Sequence, residues 1–265
     1  MGNILDELSQ YARVRVEQDK KKMSLRRLKE ETDKLISVGA SRESFIFENT
    51  LKKEGLSFIC EVKKASPSKG IIDLEFRYLD IAREYEAAGA DCISCLTEPK
   101  WFLGSDDIFR DIRAAVNTPM IRKDFTVDEY QIYQAKLMGA DAVLLICALL
   151  NEAELKKYLR ICDELGLSAL TETHDEEELK KAVSCGARII GVNNRNLKTF
   201  EVDTENSRRL RELAPEDVIF VSESGIRGVE DIPPLKEAGV DAVLIGEALM
   251  RAKDKAKLLE AMRRA

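Results

Sequence analysis

The sequence lacks the features that mark several classes of protein. It has a single histidine, and it contains no run of about 18 uncharged apolar residues, the length that a membrane-spanning helix needs. Its N-terminal segment carries charges throughout, so we expect neither a secretory signal nor a membrane partner, and we expect a cytoplasmic protein. With one histidine and no other cluster of suitably spaced ligands, we expect no metal site.

The cysteines and the net charge argue against two further classes. CISC at 92–95 has the spacing of a redox or zinc motif, but in a strand its two cysteines would point to opposite faces. The net charge of -6 argues against a nucleic-acid partner, so any cations that bind an anionic ligand must be local. The six cysteines lie mostly in apolar segments, as buried thiols of a reducing compartment do: Cys60, Cys92, Cys95, Cys147, Cys162 and Cys185.

An internal pattern recurs along the chain. Each copy has a helix end, a glycine and then a buried apolar run, which is typical of a helix C-cap followed by a parallel strand covered on both faces. The copies are AAGADCISCLTE (87–98), LMGADAVLLICA (137–148), SCGARIIGVNNR (184–195) and EAGVDAVLIGEA (237–248). Four further strand-like runs precede or separate them: FICEVK (58–63), PMIRKD (119–124), LSALTE (167–172) and VIFVSE (218–223).

Alternation of eight strands and helices within about 210 residues fits a closed (β/α)8 barrel, the TIM barrel, in size and order. A doubly wound open sheet is the alternative, but no GxGxxG or GxxxxGK follows any predicted strand. We therefore expect residues 1–265 to form a single (β/α)8 barrel domain. Residues 1–54, which have helical periodicity, are expected to form an N-terminal helical extension packed on one end of the barrel.

Capping-box patterns predict where three of the helices begin. The pairs are Thr126 with Glu129, Asn151 with Glu154 and Asp175 with Glu178.

Polar side chains follow nearly every predicted strand. In a barrel the carboxyl ends of the strands meet around the axis, and catalysis is found there. Charged residues are otherwise rare at such buried positions, so this set is a candidate site: Glu61, Lys63, Lys123, Asp124, Phe125, Glu172, Asn193, Arg195, Glu223, Ser224, Gly225, Gly246 and Glu247.

Plainer explanations exist for several of these residues. Glu61 and Lys63 could form a structural ion pair, and Glu172 could stabilise the start of the helix that Asp175 caps. His174 is expected to belong to that same helix start. Trp101, Phe102 and Phe125 fit ordinary core or lid positions as well as they fit a flat pocket for a ring.

Two neighbouring loops indicate the class of ligand. SESGI (222–226) and LIGEAL (244–249) each follow a strand, contain glycine and open a helix, so each can offer backbone N–H groups to an anion. Both could be mere tight turns. Because they follow the seventh and eighth strands, where many barrels hold phosphate, a phosphorylated small molecule is the expected substrate.

Taken in order, these motifs resemble indole-3-glycerol phosphate synthase of tryptophan biosynthesis. The resemblance rests on FICEVKKASPSKG (58–70), LTEPKWFLGS (96–105), KDF (123–125), LTETHDEEEL (170–179), GVNNRNL (191–197), VSESGI (221–226) and LIGEALM (244–250). It extends over nearly the whole chain, and the ExKxxSPSxG and NxRxL elements are highly specific in this context.

The resemblance implies a lyase that closes a ring. In that reaction 1-(2-carboxyphenylamino)-1-deoxyribulose 5-phosphate loses carbon dioxide and water to give indole-3-glycerol phosphate, and no cofactor is needed. By resemblance Lys123 is the general acid for condensation, Lys63 and Glu172 act in dehydration, and Glu61 orients Lys63. The sequence leaves open which lysine serves which step.

The resemblance also implies which residues bind the substrate. Asn193 and Arg195 would contact its anthranilate end or order the site, with Glu223 nearby. Trp101 and Glu247 depart from the usual family pattern, since a small residue often stands at the latter position. The remaining contacts would be Ser66, Ser224, Gly225, Gly246 and Glu247 with the phosphate, and Phe102, Phe125, Leu144 and Leu197 with the aromatic ring.

The residues alone leave two other functions possible. A different phosphate-binding barrel such as phosphoribosylanthranilate isomerase would explain the glycine loops, but an isomerisation usually needs only one acid and one base. A non-catalytic sugar-phosphate-binding barrel predicts a broken catalytic position, whereas Glu61, Lys63, Lys123 and Glu172 are all present. We expect a monomer or a weak homodimer.

Overall fold

The computed structural model describes residues 4–196 and 199–265. Three helices precede the barrel: α1 (Ile4–Lys22), α2 (Leu25–Ser37) and α3 (Ile46–Leu51). Helix α2 begins where the Ser24 hydroxyl accepts a hydrogen bond from the Arg27 N–H, an N-cap that satisfies an otherwise unpaired donor. Among the described residues, no helix combines the length and the apolar composition needed to cross a bilayer.

Eight parallel strands close into a barrel, as the sequence pattern predicts, and an open doubly wound sheet is thereby excluded. In space β1 pairs with both β8 and β2, and the remaining strands pair with their neighbours in chain order. A short antiparallel hairpin, Ala65–Ser66 with Gly70–Ile71, follows β1. The barrel strands are β1 (Ser57–Val62), β2 (Cys92–Leu96), β3 (Met120–Lys123), β4 (Ala142–Ile146), β5 (Ser168–Thr173), β6 (Ile189–Asn193), β7 (Ile219–Glu223) and β8 (Ala242–Ile245).

Helices on the outside of the barrel connect the strands. A 3₁₀ turn at Val229–Asp231 precedes α10, and two short helices follow β8. The helices are α4 (Tyr78–Ala87), α5 (Asp106–Ala115), α6 (Glu129–Leu137), α7 (Glu152–Glu164), α8 (Glu176–Ser184), α9 (Glu205–Arg211), α10 (Ile232–Glu237), α11 (Glu247–Arg251) and α12 (Lys255–Arg264).

The capping-box predictions had mixed outcomes. Helix α7 begins with the predicted reciprocal bonds of Asn151 and Glu154. Asp175 caps α8 as predicted, but the Glu178 carboxylate reaches the backbone N–H of His174 rather than that of the cap. The prediction at Thr126 was wrong, because α6 begins at Glu129 with Asp128 as its N-cap.

The apolar side chains form two layers on either side of the strands. Along β1, Phe58, Cys60 and Val62 pack outward against the helices, whereas Ile59 packs inside the barrel. This alternation follows from the two-residue period of a strand. It places Glu61, the next inward residue, at the carboxyl end of the barrel interior.

The N-terminal helices contact both ends of the barrel. Leu5 and Leu8 of α1 join the inner cluster together with Phe125 at the carboxyl ends of the strands. At the opposite end, Phe47 of α3 enters the same cluster, and the N–H of Glu48 donates to the hydroxyl of Ser168 at the start of β5. Helix α2 lies against α6 on the outside. The extension therefore covers the barrel mouth as well as its base.

Candidate active site

A cavity of about 740 Å³ opens at the carboxyl ends of the barrel strands. Side chains from the strand ends, the hairpin after β1 and helix α1 line it. The structure brings nearly all the predicted site residues to this cavity: Glu61, Lys63, Ser66, Phe102, Lys123, Phe125, Leu144, Glu172, Asn193, Arg195, Glu223, Ser224, Gly225, Gly246 and Glu247. Leu197, also predicted, lies outside the described residues.

The end of β1 contributes an ion pair. Lys63 Nζ donates to Glu61 Oε1, and the Ser94 hydroxyl of β2 donates to Glu61 Oε2 at 3.3 Å. Gly246 leaves space for this pair, because a Cβ at that position would lie 2.5 Å from Glu61 Oε1 and 2.8 Å from Lys63 Nζ. The pair that could have been merely structural thus borders the cavity, with the lysine side chain 17% exposed.

Lys123 of β3 lies between two carboxylates, one from β5 and one from β7. Its Nζ is 2.6 Å from Glu223 Oε2 and 3.1 Å from Glu172 Oε2. Asn193 Nδ2 donates to the other oxygen of Glu172 at 3.3 Å. Gly191 on β6 makes room for Glu223, whose Oε1 would lie 2.1 Å from a Cβ there. A buried cation therefore joins three strand ends.

The protonation states of these three groups follow from their contacts. Burial by itself lowers the pKa of Lys123, but the charges of Glu223 and Glu172 outweigh it, and the pKa is raised. Burial by itself raises the pKa of Glu172, but the charges of Lys123 and His174 outweigh it, and the pKa is lowered. Burial raises the pKa of Glu223 to about 7, because the attraction of Lys123 is opposed by the nearby Glu172 charge. Two carboxylates on one lysine thus differ in their readiness to ionise.

The loops after β7 and β8 form another wall of the cavity. Ser224 has φ +66° and Gly225 has φ +88°, consecutive left-handed conformations that turn the chain sharply after β7. Asn194 Nδ2 holds this turn by donating to the Ser224 carbonyl oxygen at 3.1 Å. The first turn of α11 leaves backbone N–H groups without intrahelical partners. The Glu247 carboxylate turns to Arg251 at 3.1 Å.

Apolar side chains form the third wall. The rings of Phe102 and Phe125 lie 6.1 Å apart at 43°, and Leu144 lines the cavity with them. Trp101 packs edge-on against Tyr11 of α1 with ring centroids 5.7 Å apart. Of the aromatic residues considered from sequence, Phe102 and Phe125 therefore line the cavity, whereas Trp101 joins its loop to the N-terminal extension.

Arg195 reaches the cavity from the loop after β6. Its backbone N–H donates to Asn193 Oδ1 at 3.0 Å, and its guanidinium donates to the Phe200 carbonyl oxygen at 3.2 Å. Lys64, the neighbour of Lys63, is absent from the residues that line the cavity within the described chain, as the alternation of β1 predicts.

Two residues that the sequence did not indicate hold in place the segments that carry site residues. The Glu98 carboxylate accepts hydrogen bonds from the backbone N–H groups of Lys100, Trp101 and Phe102, and so fixes the loop that carries Phe102. Arg15 of α1 forms two hydrogen bonds to Asp124, at 2.6 and 3.0 Å. Arg15 and Asp124 lie 109 positions apart, so no local pattern marks them as partners.

The predictions against a metal or redox site can be compared with the geometry. Cys92 packs inside the barrel and Cys95 outside it, so the CISC cysteines do point to opposite faces. Within residues 4–196 and 199–265, no group of three or more histidine, cysteine or acidic side chains could hold a metal ion.

Sequence comparison places these residues among known relatives. The family model described as indole-3-glycerol phosphate synthase matches residues 5–262. A relative of that name from Ruminiclostridium cellulolyticum is 57% identical over 251 residues, which cover 95% of each chain. Another from Endomicrobium trichonymphae is 50% identical over 261 residues, covering 98% of this chain and 99% of the relative.

Solved structures share the fold at much lower identity. A 3-hexulose-6-phosphate synthase has a TM-score of 0.65 at 17% identity and covers 79% of this chain and 99% of its own. The tryptophan synthase subunit alpha of Legionella pneumophila has a TM-score of 0.60 at 16% identity and covers 84% of this chain and 98% of its own. These similarities establish the barrel alone, because function varies widely on this fold.

Proposed function

This chain belongs to the indole-3-glycerol phosphate synthase family, and from that premise we propose which of its residues carry out each step. The enzyme is a decarboxylating lyase of tryptophan biosynthesis. It closes the ring of 1-(2-carboxyphenylamino)-1-deoxyribulose 5-phosphate, with loss of carbon dioxide and water, to give indole-3-glycerol phosphate. The reaction needs a proton donor at the ketone and, later, an acid and a base for dehydration.

The proposed orientation of the substrate follows from the chemistry of the cavity walls. Its phosphate would bind Ser66 and the backbone of Ser224, Gly225, Gly246 and Glu247, where loops and a helix start present N–H groups. Its aromatic ring would lie against Phe102, Phe125 and Leu144, with Arg195 and Asn193 near the carboxylate. Leu197 is assigned to the ring by the family resemblance alone. The reacting carbons would then lie between the two lysines.

Condensation is assigned to Lys123. Its raised pKa keeps the ammonium protonated at neutral pH, so it can donate to the ketone oxygen as the ring carbon attacks. Carbon dioxide then leaves, and the electron pair of the broken bond restores the aromatic ring. Glu223 would return a proton to Lys123, because its pKa of about 7 leaves it partly protonated.

Dehydration is assigned to Lys63 and Glu172. Lys63 would protonate the hydroxyl that leaves as water, and Glu61, which accepts a hydrogen bond from Lys63, would orient it. Glu172, whose pKa is lowered, would accept a proton from the newly closed ring. The two groups approach the cavity from β1 and β5, so the substrate can lie between an acid and a base.

The position of Lys123 between Glu172 and Glu223, facing the Lys63 and Glu61 pair across one cavity, carries this assignment. An Amadori isomerase would not need this second pair, and a non-catalytic barrel would need neither.

Replacement of Lys123 by alanine tests the assignment. We expect Lys123→Ala to lower kcat by about 10²- to 10⁴-fold, the usual contribution of a positioned general acid. Lys64→Ala is the matched control, because that lysine lies outside the cavity wall and should retain the rate. Turnover is followed by indole fluorescence with the anthranilate-derived ribulose phosphate. Undiminished turnover of soluble, folded Lys123→Ala would remove Lys123 as the acid.

The setting of the enzyme is likewise proposed. We propose that it acts in the cytoplasm on a phosphorylated small molecule, without nucleic-acid or membrane partners, as a monomer or weak homodimer. Free cysteines, five of them buried, suit a reducing compartment. The roles proposed above all fall on residues of one chain, so the mechanism as proposed calls for no residue from a second copy. A tight dimer in sedimentation velocity at micromolar concentration would contradict the last point.

A further inference from the structure

His174, the one histidine of the sequence, lies at the edge of the proposed active site. Its imidazole lies between two carboxylates, with Nδ1 3.0 Å from Glu178 Oε2 and Nε2 3.5 Å from Glu172 Oε1. The side chain is 17% exposed. The ring therefore connects the proposed base of the dehydration step to the first turn of α8.

Both the backbone and the ring of His174 are held in place. Its N–H donates to Glu178 Oε2 at 2.9 Å, and its carbonyl oxygen accepts from Asn206 Nδ2 of α9 at 3.0 Å. Asp175 fixes Glu178 in turn by accepting the backbone N–H of that residue at 2.9 Å. The imidazole is thus oriented by two helices before any substrate arrives.

These contacts determine which ring nitrogen carries a proton. An ionised carboxylate only accepts hydrogen bonds, so Nδ1 must donate to Glu178. In a neutral ring, Nε2 would then present a lone pair to the Glu172 carboxylate, which is unfavourable. Nε2 is buried and has no hydrogen-bond partner among the described residues. A proton on Nε2 would convert this contact into an attraction between an imidazolium and a carboxylate.

The surrounding charges favour that proton. Burial lowers the pKa of His174, but the hydrogen bond to Glu178 and the charges of the nearby carboxylates outweigh it, and the pKa is raised. Lys181 of α8 directs its ammonium elsewhere, to the carbonyl oxygens of Cys147 and Leu150. The charged groups that face the ring are Glu172 of β5, Glu178 of α8, Glu223 of β7 and, across Glu172, Lys123 of β3.

We propose that His174 is a positioning residue that directs an Nε2–H at Glu172 Oε1 and keeps this carboxylate charged and aimed at the substrate. The proposal rests on the assigned role of Glu172 as the base. Lys123 binds the other carboxylate oxygen, so the two cations hold Glu172 from both sides. Coupling of this kind is reciprocal: the carboxylate stabilises the imidazolium by as much as the imidazolium stabilises the carboxylate.

Nuclear magnetic resonance tests the coupling without any assay of activity. In a tag-free protein with ¹³C-labelled histidine, the ring gives a single titrating signal, because the sequence has one histidine. We expect a pKa above the ordinary value of about 6.5, which falls by at least about half a unit in Glu172→Gln and in Glu178→Gln. Glu177→Gln, an exposed acid in the same helical turn, is the matched control and should leave the pKa unchanged.

A pH profile tests the consequence for catalysis. His174→Gln keeps a polar side chain but cannot carry charge. We expect its single-turnover rate to approach that of the wild type above about pH 8. Towards pH 5.5 the ratio of the wild-type rate to the variant rate should grow by a factor of about three or more, because without the imidazolium Glu172 becomes protonated at a higher pH. KM should stay within about twofold. Both proteins contain Glu223, so its titration affects both pH profiles, and the comparison between them tests His174.

The outcomes separate this proposal from the assignment of Glu172. The role of His174 would be overturned if the ratio of the wild-type rate to the His174→Gln rate were constant across the pH range. It would also be overturned if Glu172→Gln left the histidine pKa unchanged. Normal turnover by Glu172→Gln would instead overturn the assignment of the base, whatever the histidine titration shows.

Discussion

Lys123, Glu172 and Glu223 form one ionisable unit in which no member titrates alone. The lysine stabilises the charge of both carboxylates, yet the carboxylates repel each other, so the pKa of Glu172 is lowered and that of Glu223 is raised. This division supplies an ionised base beside a carboxyl group that can exchange a proton near neutral pH. It suits a reaction in which one lysine must give up a proton and recover it.

The raised pKa of Glu223 predicts a pH-dependent cost to folding. Between the unfolded pKa of about 4.3 and the folded pKa of about 7, the folded chain holds a proton that the unfolded chain has released. The stability contributed by this site is therefore present at low pH and is lost as the pH rises through that window. We expect the unfolding free energy of the wild type, relative to Glu223→Gln, to fall by on the order of 3 to 4 kcal/mol from pH 4 to 8.

Urea unfolding at a series of pH values measures this difference. Glu237→Gln, which replaces a surface acid on α10, is the control and should follow the wild-type trend. If the difference between wild type and Glu223→Gln were constant from pH 4 to 8, Glu223 would have an ordinary pKa.

Among the single elements, the barrel strands position the proposed catalytic groups by the alternation of side chains and by glycines, which have no side chain. Glu61 and Ile59 share the inner face of β1, and the strand ends as the carboxylate reaches the mouth. Two glycines, each next to the strand that carries the acid, then leave the volume that the acidic side chains occupy: Gly246, just after β8, for Glu61 of β1, and Gly191 of β6 for Glu223 of β7. The apolar strands and the charged site are parts of one packing arrangement.

The close approach at Gly191 predicts the effect of a single methyl group. In Gly191→Ala the Cβ would lie 2.1 Å from Glu223 Oε1 and 3.1 Å from Leu170 Cδ1, so the carboxylate must shift, which disturbs its contact with Lys123. We expect a loss of about 1 to 3 kcal/mol in unfolding free energy and a fall in kcat that exceeds the change in KM.

A double mutant checks that Glu223 is the residue displaced. In a Glu223→Ala background the added methyl group has space, so it should cost less stability than in the wild type. Equal costs in both backgrounds would show that the strain lies elsewhere, for example against Leu170.

At the scale of the whole molecule, the N-terminal helices are tied to the barrel at several depths. Arg15 of α1 binds Asp124, a buried carboxylate adjacent to Lys123, and burial of Asp124 would raise its pKa if the arginine did not lower it. Trp101, the one tryptophan in the sequence, packs against Tyr11 of the same helix. We propose that residues 1–265 therefore fold as a single domain.

This packing predicts one cooperative unfolding transition. Trp101 fluorescence reports the contact between α1 and the mouth, whereas far-ultraviolet circular dichroism reports all helices and strands. We expect the two denaturation curves to coincide, with the same midpoint and slope. An earlier fluorescence transition would show that the extension separates from an intact barrel.

Local patterns in the amino-acid sequence were enough to predict the order of the helices and strands. Glycine at helix ends and short apolar runs are local signals, and because strands buried on both faces need such runs, all eight barrel strands could be placed correctly. The specific motifs at the strand ends indicated the family, and their position identified Lys123, Glu172 and Glu61 as residues of one mouth. The residues of the candidate site could be predicted from their positions at the strand ends, because barrel closure brings those ends together.

Which side chains contact each other became evident only from the three-dimensional fold. His174 belonged to a helix start by its sequence context, yet its ring also lies 3.5 Å from the Glu172 carboxylate. Arg15 and Asp124 lie 109 positions apart, and Gly191 makes room for a carboxylate on the next strand. Such contacts depend on distances across the barrel and on pKa shifts from burial, and a linear pattern of residues carries neither quantity.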